Sequence, residues 1–363
     1  MKQPDKKLVL ESGQEFFGYG FGAERQAVCE IVFNTSMVGY QEILSDPSYT
    51  DQIVVMTYPT IGNYGINDED FETRMLTIGG LVVREYCDTP SNFRYTNTIA
   101  EVLEENSIPG ISGIDTRMLT RTIRDGGCSR AAIVDASTSV EEALALIAAT
   151  PEKHDSVRKV SCRKRWYSRT PNHRYDVVAI DCGIKHNSIR ALNKRGCNVV
   201  IVPFDTPIEE IMAFNPNGIF ISNGPGNPSD LPEVVELIRQ LRGRLPIFGI
   251  CLGHLLIAQA YGVPCNKQQA GNNSGSHPIK NLATERIEIA GIGRNYAIDE
   301  SALSATPLKA THIDVLDGAI VGFESVEEKL FSVQYHPEGA PGPNDSKYLF
   351  DKFIKLMEEN HNA

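Results

Sequence analysis

The residue best suited to nucleophilic chemistry is Cys251, which lies between two glycines in the segment Gly249-Ile-Cys-Leu-Gly253. The pattern predicts a buried strand that ends at the cysteine and a helix that starts immediately after it, as in a nucleophile elbow. The amino-terminal end of that helix favours a thiolate, and the backbone N–H of Leu252 would face a developing oxyanion. Strand cysteines are often small buried hydrophobes, so this motif alone leaves both interpretations open.

A second segment, Gln334-Tyr-His-Pro-Glu338, supplies the partners that a thiol nucleophile needs. His336 can take the proton of the thiol, and Glu338 can hold the other ring nitrogen if the chain is extended there. A lone His-x-Glu pair is a weak signal, because surface loops contain many such pairs. Together with the predicted turn at Cys251, the pair indicates a Cys-His-Glu triad.

A third segment, Ser222-Asn-Gly-Pro-Gly-Asn-Pro228, directly follows a predicted strand. Its glycines, Gly224 and Gly226, allow a backbone amide to face a reacting carbonyl group and so to act as a second oxyanion donor. Taken by itself, such a segment is more often a simple turn.

Length and composition limit the classes of protein to consider. The chain has 363 residues, which suggests two domains, and a formal net charge of −11, which argues against a general nucleic-acid binder. No apolar run approaches a membrane span of about 20 residues, and we expect no signal peptide. The eight cysteines form no Cys-x-x-Cys pair, so we expect no metal site. In a chain of this length, for which we expect no signal peptide, we also expect reduced thiols and a cytoplasmic location.

The chain is expected to fold as an α/β protein in two parts. Residues 1–150 mix strands, turns and some helix, which predicts an α+β domain. Residues 151–175 are polar and basic without periodicity, and we interpret them as a linker whose Arg163-Lys-Arg cluster is a solvated loop or a contact for an acidic partner. Residues 176–363 alternate apolar strands with helices, which predicts a mostly parallel central sheet flanked by helices.

Three of these segments together resemble class I (triad) glutamine amidotransferases: Gly-Ile-Cys-Leu-Gly-His, Ser-Asn-Gly-Pro-Gly-Asn-Pro and Tyr-His-Pro-Glu. The first part resembles the amino-terminal domain of the small chain of carbamoyl-phosphate synthase. That second resemblance rests on Phe33-Asn-Thr-Ser-Met-Val-Gly-Tyr-Gln-Glu-Ile-Leu-Ser-Asp-Pro-Ser-Tyr49, Thr57-Tyr-Pro-Thr-Ile-Gly-Asn63, Ser91-Asn-Phe-Arg94 and Gly113-Ile-Asp-Thr-Arg-Met-Leu-Thr-Arg121. The motifs cover nearly the whole chain in the same order.

The resemblance implies a glutaminase that forms a thioester with glutamine and passes ammonia to a large, ATP-using chain. That partner would make carbamoyl phosphate for arginine and pyrimidine synthesis. The resemblance implies that Cys251, His336 and Glu338 form the triad and that Gly224 and Leu252 supply oxyanion amides. It also matches Ser48, Gly226 and the aromatic Tyr296 to positions that contact glutamine. No P-loop is present, so we expect no cofactor in this chain, with ATP and magnesium on the large partner.

The sequence departs from the family pattern around the substrate. The family usually has a glutamine where this chain has Leu255, and leucine cannot form a hydrogen bond. A Gln-Asn-His-Gly-Phe segment of the family corresponds here to Ile292-Gly-Arg-Asn-Tyr296. Without each of those hydrogen bonds, glutamine would bind less tightly by roughly 1.5–3 kcal/mol, unless Arg294 binds its carboxylate instead. The triad is therefore expected to be intact and the substrate pocket altered.

Three functions fit these observations. The first is an active glutaminase chain of a carbamoyl-phosphate synthase. The second is a diverged, non-catalytic partner of an ammonia-using synthetase, which Leu255 and the altered Gly293, Arg294 and Asn295 would explain. The third is a cysteine hydrolase for another amide, which leaves the first domain without a purpose.

His186, at the end of a predicted strand, is interpreted as a loop histidine rather than a site residue.

Overall fold

The computed structural model describes residues 3–127 and 129–361, apart from the side chains of Ala270 and His361. The chain forms two compact units, of which the first is Met1–Lys153 with Gln269–Gly275, and the second is His154–Gln268 with Ser276–Ala363. The boundary after Lys153 falls inside the segment predicted to be a linker. That segment also contains a short helix and a strand of the second unit, at Ser156–Val160 and Trp166–Ser168.

The first unit is built on a closed β-barrel with the strand order β1-β2-β8-β6-β4-β3-β9. Its strands are β1 (Lys6–Leu10), β2 (Glu15–Gly22), β3 (Ala27–Asn34), β4 (Gln52–Met56), β5 (Thr60–Ile61), β6 (Gly80–Val82), β7 (Glu85–Tyr86), β8 (Pro109–Ser112) and β9 (Ser129–Asp135). Its helices are α1 (Tyr40–Leu44), α2 (Ile99–Glu105), α3 (Thr116–Gly126) and α4 (Val140–Ala149), with a 3₁₀ turn at Pro47–Tyr49.

The helix starts in this unit follow from local side-chain chemistry. Ser139 and Glu142 form a capping box at α4, and Thr98 and Glu101 form another at α2. Asp115 caps α3 by accepting from the backbone N–H of Met118. These caps satisfy amides that the first turn of a helix cannot bond internally.

The second unit contains an eleven-stranded sheet among the described residues, in the order β10-β12-β11-β13-β14-β19-β18-β17-β15-β16-β20. The strands are β10 (Trp166–Ser168), β11 (Tyr175–Asp181), β12 (Cys197–Pro203), β13 (Gly218–Ile221), β14 (Ile247–Ile250), β15 (Cys265–Asn281), β16 (Ile287–Ile298), β17 (Lys309–Asp314), β18 (Ile320–Ser325), β19 (Leu330–Val333) and β20 (Tyr335–His336). The helices are α5 (Ser156–Val160), α6 (His186–Asn193), α7 (Ile208–Met212), α8 (Pro232–Leu241), α9 (Leu252–Ala260), α10 (Glu300–Leu303) and α11 (Tyr348–His361), with 3₁₀ turns at Pro228–Asp230 and Asp345–Lys347.

The predicted parallel core is confirmed, because β12, β11, β13, β14 and β19 pair in parallel. Successive residues of β11 alternate between two buried clusters: Val178 and Ile180 pack with α8 and α9, whereas Val177 and Ala179 pack with α6 and α11. Both faces of the sheet are therefore covered, which explains why these strands are unbroken apolar runs.

The connectivity brings three polar segments to one edge of the parallel core. The strands β11, β13 and β14 all run in the same direction, so the residues that follow each of them lie at the same edge of the sheet. Those following segments contain Lys185, Gly224 and Cys251. This edge is where open α/β sheets build their sites.

Two further structural findings concern residues 3–127 and 129–361 only. No helix there is long and apolar enough to cross a membrane, and no group of three or more His, Cys, Asp or Glu side chains there is arranged to hold a metal ion. The seven cysteines in these ranges are free thiols. Cys128 lies outside the described residues.

Candidate active site

The backbone at Cys251 has the geometry of a nucleophile on a sharp turn. Its φ of 54° and ψ of −105° lie in a region that residues with a side chain rarely adopt, and α9 begins at the next residue. The backbone N–H of Cys251 donates to the carbonyl oxygen of Val333 over 2.9 Å, which holds the turn against β19. The strain therefore presents the thiol at the end of β14, where the positive end of the helix favours a thiolate.

Glycines are required around this turn because α9 lies very close to the sheet. A Cβ atom at Gly253 would lie 2.4 Å from the carbonyl oxygen of Ile221, and one at Gly249 would lie 2.5 Å from Cδ1 of Ile257. The two glycines recognised in the sequence thus serve close packing of the helix on the strands, rather than an unusual φ angle.

His336 and Glu338 form the pair that the sequence predicts. The Nδ1 atom of His336 lies 2.7 Å from Oε1 of Glu338, and both side chains are buried. His336 is also hydrogen-bonded to Cys251, which places the ring between the thiol and the carboxylate. The three predicted triad residues are therefore brought together in the second unit.

The charges in this triad are strongly coupled. Burial lowers the pKa of His336, but the Glu338 carboxylate, the Cys251 sulfur and hydrogen bonds with both raise that pKa to about 10. Near neutral pH the ring is therefore an imidazolium that lies beside the Cys251 sulfur. Such a pair supplies both an attacking sulfur and a proton for a leaving group.

Lys185 is a fourth member of the cluster that the sequence reasoning did not identify. Its Nζ atom lies 3.1 Å from Oε1 of Glu338 and donates to the carbonyl oxygen of Ala340 over 2.6 Å, and only 2% of the side chain is exposed. Burial raises the pKa of Glu338, but Lys185 and then His336 lower it to about 2. Lys185 thus keeps the orienting carboxylate ionised. The sequence holds no signal for this, because a lysine beside His186 gives no indication of burial.

Two further polar groups lie near the sulfur. The Sγ atom of Cys251 lies 3.5 Å from the carbonyl oxygen of Gly293, and Nε2 of Gln334 lies 3.9 Å from the same sulfur. Gln334 immediately precedes the Tyr-His-Pro-Glu motif, yet no sequence pattern assigns it a role. Both groups therefore lie beside the atom that would attack a substrate carbonyl.

The proposed oxyanion donors, Gly224 and Leu252, lie side by side. A Cβ atom built on Gly224 would come within 2.9 Å of Cδ2 of Leu252 and 2.1 Å of the carbonyl oxygen of Cys182. Only glycine fits at this approach of the β13 loop to α9. The N–H of Leu252 belongs to the first turn of α9, where amides have no intrahelical acceptor.

The remaining predicted positions are placed as follows. Gly226 has a φ of +85° in the loop after β13, and Tyr296 lies on β16, packed beside the buried cluster that contains α8 and α9. Ser48 belongs to the first unit, where its backbone N–H donates to Asp46 over 2.8 Å. His186 is the first residue of α6.

The altered pocket residues pack as structural groups. Leu255 lies on α9 and is buried in the apolar cluster that contains residues of α8 and α9. Arg294 is also buried, with Nη1 lying 3.3 Å from Oδ2 of Asp314, and its Nη2 contacts Asp317. Asp314 is further bound by His277 over 2.7 Å. The guanidinium of Arg294 is therefore neutralised by two carboxylates in this structure.

His254, directly after the turn at Cys251, has a structural role. Its Nδ1 atom lies 2.9 Å from Oγ of Ser332, and its ring packs against Phe323 with centroids 4.3 Å apart. Burial lowers the pKa of His254 to about 3, so the ring is neutral at physiological pH.

Two family models match this chain. Residues 8–133 match the model described as carbamoyl-phosphate synthase small chain, CPSase domain, and residues 178–356 match glutamine amidotransferase class-I. Among curated proteins, the carbamoyl phosphate synthase pyrimidine-specific small chain of Halalkalibacterium halodurans is 48% identical over 98% of each chain. The carbamoyl phosphate synthase small chain of Bacillus caldolyticus is 45% identical over 98% of this chain and 97% of its own. Among solved structures, a glutamine amidotransferase from Thermotoga maritima is 15% identical, with a TM-score of 0.38, and covers 53% of this chain and 87% of its own.

Proposed function

Since this chain belongs to the family of carbamoyl phosphate synthase small chains, we propose that it hydrolyses glutamine at Cys251 and passes the ammonia to a large synthetase chain. The observation that carries the proposal is the coupled Cys251–His336–Glu338 cluster at a strained strand-to-helix turn. In this role the chain is the glutaminase subunit of a synthase that makes carbamoyl phosphate.

The geometry supports a two-step reaction. The Cys251 thiolate attacks the amide carbon of glutamine, and the N–H groups of Leu252 and Gly224 stabilise the oxyanion that forms. The imidazolium of His336 then protonates the departing nitrogen, which releases ammonia and leaves a γ-glutamyl thioester. In the second step neutral His336 takes a proton from water and the resulting hydroxide attacks the thioester carbonyl. The C–S bond then breaks, which releases glutamate and regenerates the thiolate beside the imidazolium.

The chain's other proposed contacts concern binding. Ser48, Gly226 and Tyr296 are proposed to contact glutamine because they match family motif positions.

ATP and magnesium are proposed to bind the large chain, because this sequence contains no P-loop. The free thiols of the described cysteines support a cytoplasmic location, and the carbamoyl phosphate would feed pyrimidine or arginine synthesis.

The deciding experiment measures ammonia release from glutamine by the full chain, with and without the cognate large chain. We expect Cys251→Ala to abolish this release and glutamine-dependent carbamoyl phosphate synthesis, while synthesis from free ammonia by the complex continues. Cys265→Ala, in the same unit, serves as the matched control and should remain active. Loss of both activities in Cys251→Ala would contradict the assignment of Cys251 to amide hydrolysis.

A second candidate function is that of a non-catalytic partner of an ammonia-using synthetase. It is favoured by the burial of Leu255 and by the pairing of Arg294 with two aspartates, which leave two family contacts to glutamine unreplaced. Acid quenching of the wild-type reaction, followed by mass spectrometry, distinguishes the two functions. A γ-glutamyl adduct on Cys251 excludes the non-catalytic role, whereas a folded chain that binds the large chain and forms no adduct supports it.

A further inference from the structure

The register of the central sheet places Gln334 beside the nucleophile. Strands β14 and β19 pair in parallel, with Ile250 opposite Val333. The residue that follows each of these is Cys251 on one strand and Gln334 on the other. The backbone N–H of Cys251 donates to the carbonyl oxygen of Val333 over 2.9 Å, and the N–H of Gln334 donates to the carbonyl oxygen of Val321 over 2.9 Å. The backbone under the Gln334 side chain is therefore held in place next to the turn.

The carboxamide of Gln334 is enclosed, and only one of its two ends has a partner. The residue is 2% exposed, and its Nε2 atom lies 3.9 Å from Sγ of Cys251. Its Oε1 atom has no hydrogen-bond partner within residues 3–127 and 129–361. Buried acceptors in native proteins almost always have a partner, so an unpaired one calls for an explanation.

The contact with the sulfur determines which way the carboxamide faces. Its nitrogen can only donate and its oxygen can only accept, whereas the sulfur of Cys251 can accept from the nitrogen. With Nε2 turned to the sulfur, Oε1 is the end that remains for another group. Because both atoms belong to one planar carboxamide, Oε1 also lies next to the nucleophile. A group that pairs with it there must bring an N–H or an O–H bond.

One part of bound glutamine meets this requirement. After attack by Cys251, the sulfur and the amide nitrogen are bonded to the same carbon atom. A side chain that touches the sulfur with one end therefore has the nitrogen within reach of its other end. The nitrogen carries N–H bonds, but the oxyanion is itself an acceptor and the remaining substituent is an aliphatic chain. Oε1 of Gln334 thus matches the amide nitrogen alone among the groups on that carbon.

We propose that Gln334 is a further catalytic residue, whose Oε1 atom accepts a hydrogen bond from the amide nitrogen of glutamine until ammonia departs. This inference rests on the proposed function. When the C–N bond breaks, its electron pair stays with the nitrogen, the proton comes from the imidazolium of His336, and the C=O bond forms again. Gln334 gains and loses no proton in this step. It holds the nitrogen so that its lone pair faces His336.

The same contact distinguishes glutamine from molecules that share its acyl group. An ester, or the carboxylate of the product glutamate, places an oxygen acceptor where glutamine has its N–H. Two acceptors facing each other in a buried site repel, and a site that pairs with an N–H rejects an analogue without it. Gln334 therefore favours binding of the amide and departure of glutamate after hydrolysis.

The test compares kcat/KM for glutamine and for the γ-methyl ester of glutamate, using the full chain with its cognate large chain. The ester has no N–H on its leaving group. We expect Gln334→Met to lower the ratio of kcat/KM for glutamine to that for the ester by about tenfold or more, because the lost acceptor serves glutamine alone. Gln334→Glu keeps an acceptor oxygen, so its ratio should stay within about threefold of wild type although its charge slows both reactions.

Gln52→Met provides the matched control. Gln52 is a buried glutamine of β4, in the first unit, and its Oε1 atom also has no hydrogen-bond partner among the residues described. Both kcat/KM values of this variant should stay within about threefold of wild type. An unchanged ratio in Gln334→Met would overturn the inference. A ratio that falls as far in Gln334→Glu as in Gln334→Met would overturn it as well, because the acceptor is then irrelevant.

A crystal structure of Cys251→Ser with glutamine tests the contact without any change at Gln334. We expect the amide nitrogen of glutamine to lie at hydrogen-bond distance from Oε1 of Gln334, about 2.7–3.2 Å. A nitrogen that lies more than about 3.5 Å from Oε1, or crystals that take up no glutamine, would contradict the inference.

This inference and the proposed function fail in different ways. Wild type that releases ammonia from glutamine, with an unchanged ratio in Gln334→Met, keeps the glutaminase function and refutes the role of Gln334. Wild type that releases no ammonia with or without the large chain refutes the glutaminase function. In that case the Cys251→Ser complex decides whether Gln334 binds the amide.

Discussion

The substitution Gly224→Ala tests whether the loop after β13 supplies an oxyanion donor. An alanine Cβ at this position would lie 2.1 Å from the carbonyl oxygen of Cys182 and 2.9 Å from Cδ2 of Leu252. The first obstacle is backbone within the core, so it cannot rotate away like a side chain. The loop must therefore move by about 1 Å or more to reach ordinary contact distance.

That displacement sets the expected size of the effect. Oxyanion donors act at about 2.7–3.1 Å, and the loss of one such donor lowers kcat by about 10²–10³-fold. The interaction forms only in the transition state, so kcat and kcat/KM should fall together while KM changes little. Overpacking of the loop should also lower the free energy of unfolding by about 1–3 kcal/mol.

The assay is ammonia release from glutamine at saturating and limiting substrate, together with thermal unfolding. The rate at which iodoacetamide alkylates Cys251 checks that the nucleophile is intact, and we expect it to stay close to the wild-type rate. Gly126→Ala is the matched control, because Gly126 ends α3 with no atom within 4 Å of an added Cβ. A folded Gly224→Ala chain with kcat within about threefold of wild type would refute the role of this loop in the oxyanion hole.

Two further predictions concern the charged groups near the site. Lys185→Met removes the cation that lowers the pKa of Glu338. Catalysis is expected to need the ionised carboxylate. As the pH falls, the variant should therefore lose activity at a higher pH than wild type does. We expect the acid limb of the kcat/KM profile to move up by about 1–3 pH units, whereas the exposed control Lys355→Met should leave it in place. Arg294→Leu should lower the free energy of unfolding by about 1–3 kcal/mol, because the buried carboxylate of Asp314 and the carboxylate of Asp317 then lose the guanidinium that they share. KM for glutamine should stay within about threefold of wild type; a large rise in KM with unchanged thermal stability would show that Arg294 binds substrate instead.

The sequence predicted the parts of the site that local patterns encode. The glycines around Cys251, the apolar strand before it and the helix after it identified the turn. The spacing of His336 and Glu338 predicted the hydrogen-bonded pair that the structure shows, because an extended chain places those side chains on the same side. The parallel core was predictable for a similar reason, since β11–β14 are short apolar runs separated by helical patterns.

The parts that were missed depend on contacts between distant segments. Lys185 follows β11, and its partner Glu338 lies about 150 positions later, so only the assembled sheet brings them together. The pairing of Arg294 with Asp314 and Asp317 joins β16 to the end of β17. Closure of the first unit into a barrel was also not predicted, because it depends on the pairing of β1 with β9 across the whole domain. Single-sequence patterns contain no information on such pairs.

The membership of residues 269–275 in the first unit bears on how this gene can be rearranged. That segment lies deep inside the sequence of the second unit, yet it belongs to the first, where the N–H of Thr35 donates to the carbonyl oxygen of Asn273 over 3.2 Å. Each unit is therefore built from two separate stretches of the sequence, so the units are not two consecutive segments that meet at one position. A chimaera spliced at residue 153 would pair one parent's barrel with the other parent's 269–275 segment. In a functional hybrid, residues 269–275 should consequently come from the same parent as residues 1–153. The same constraint would apply to natural recombination between related genes.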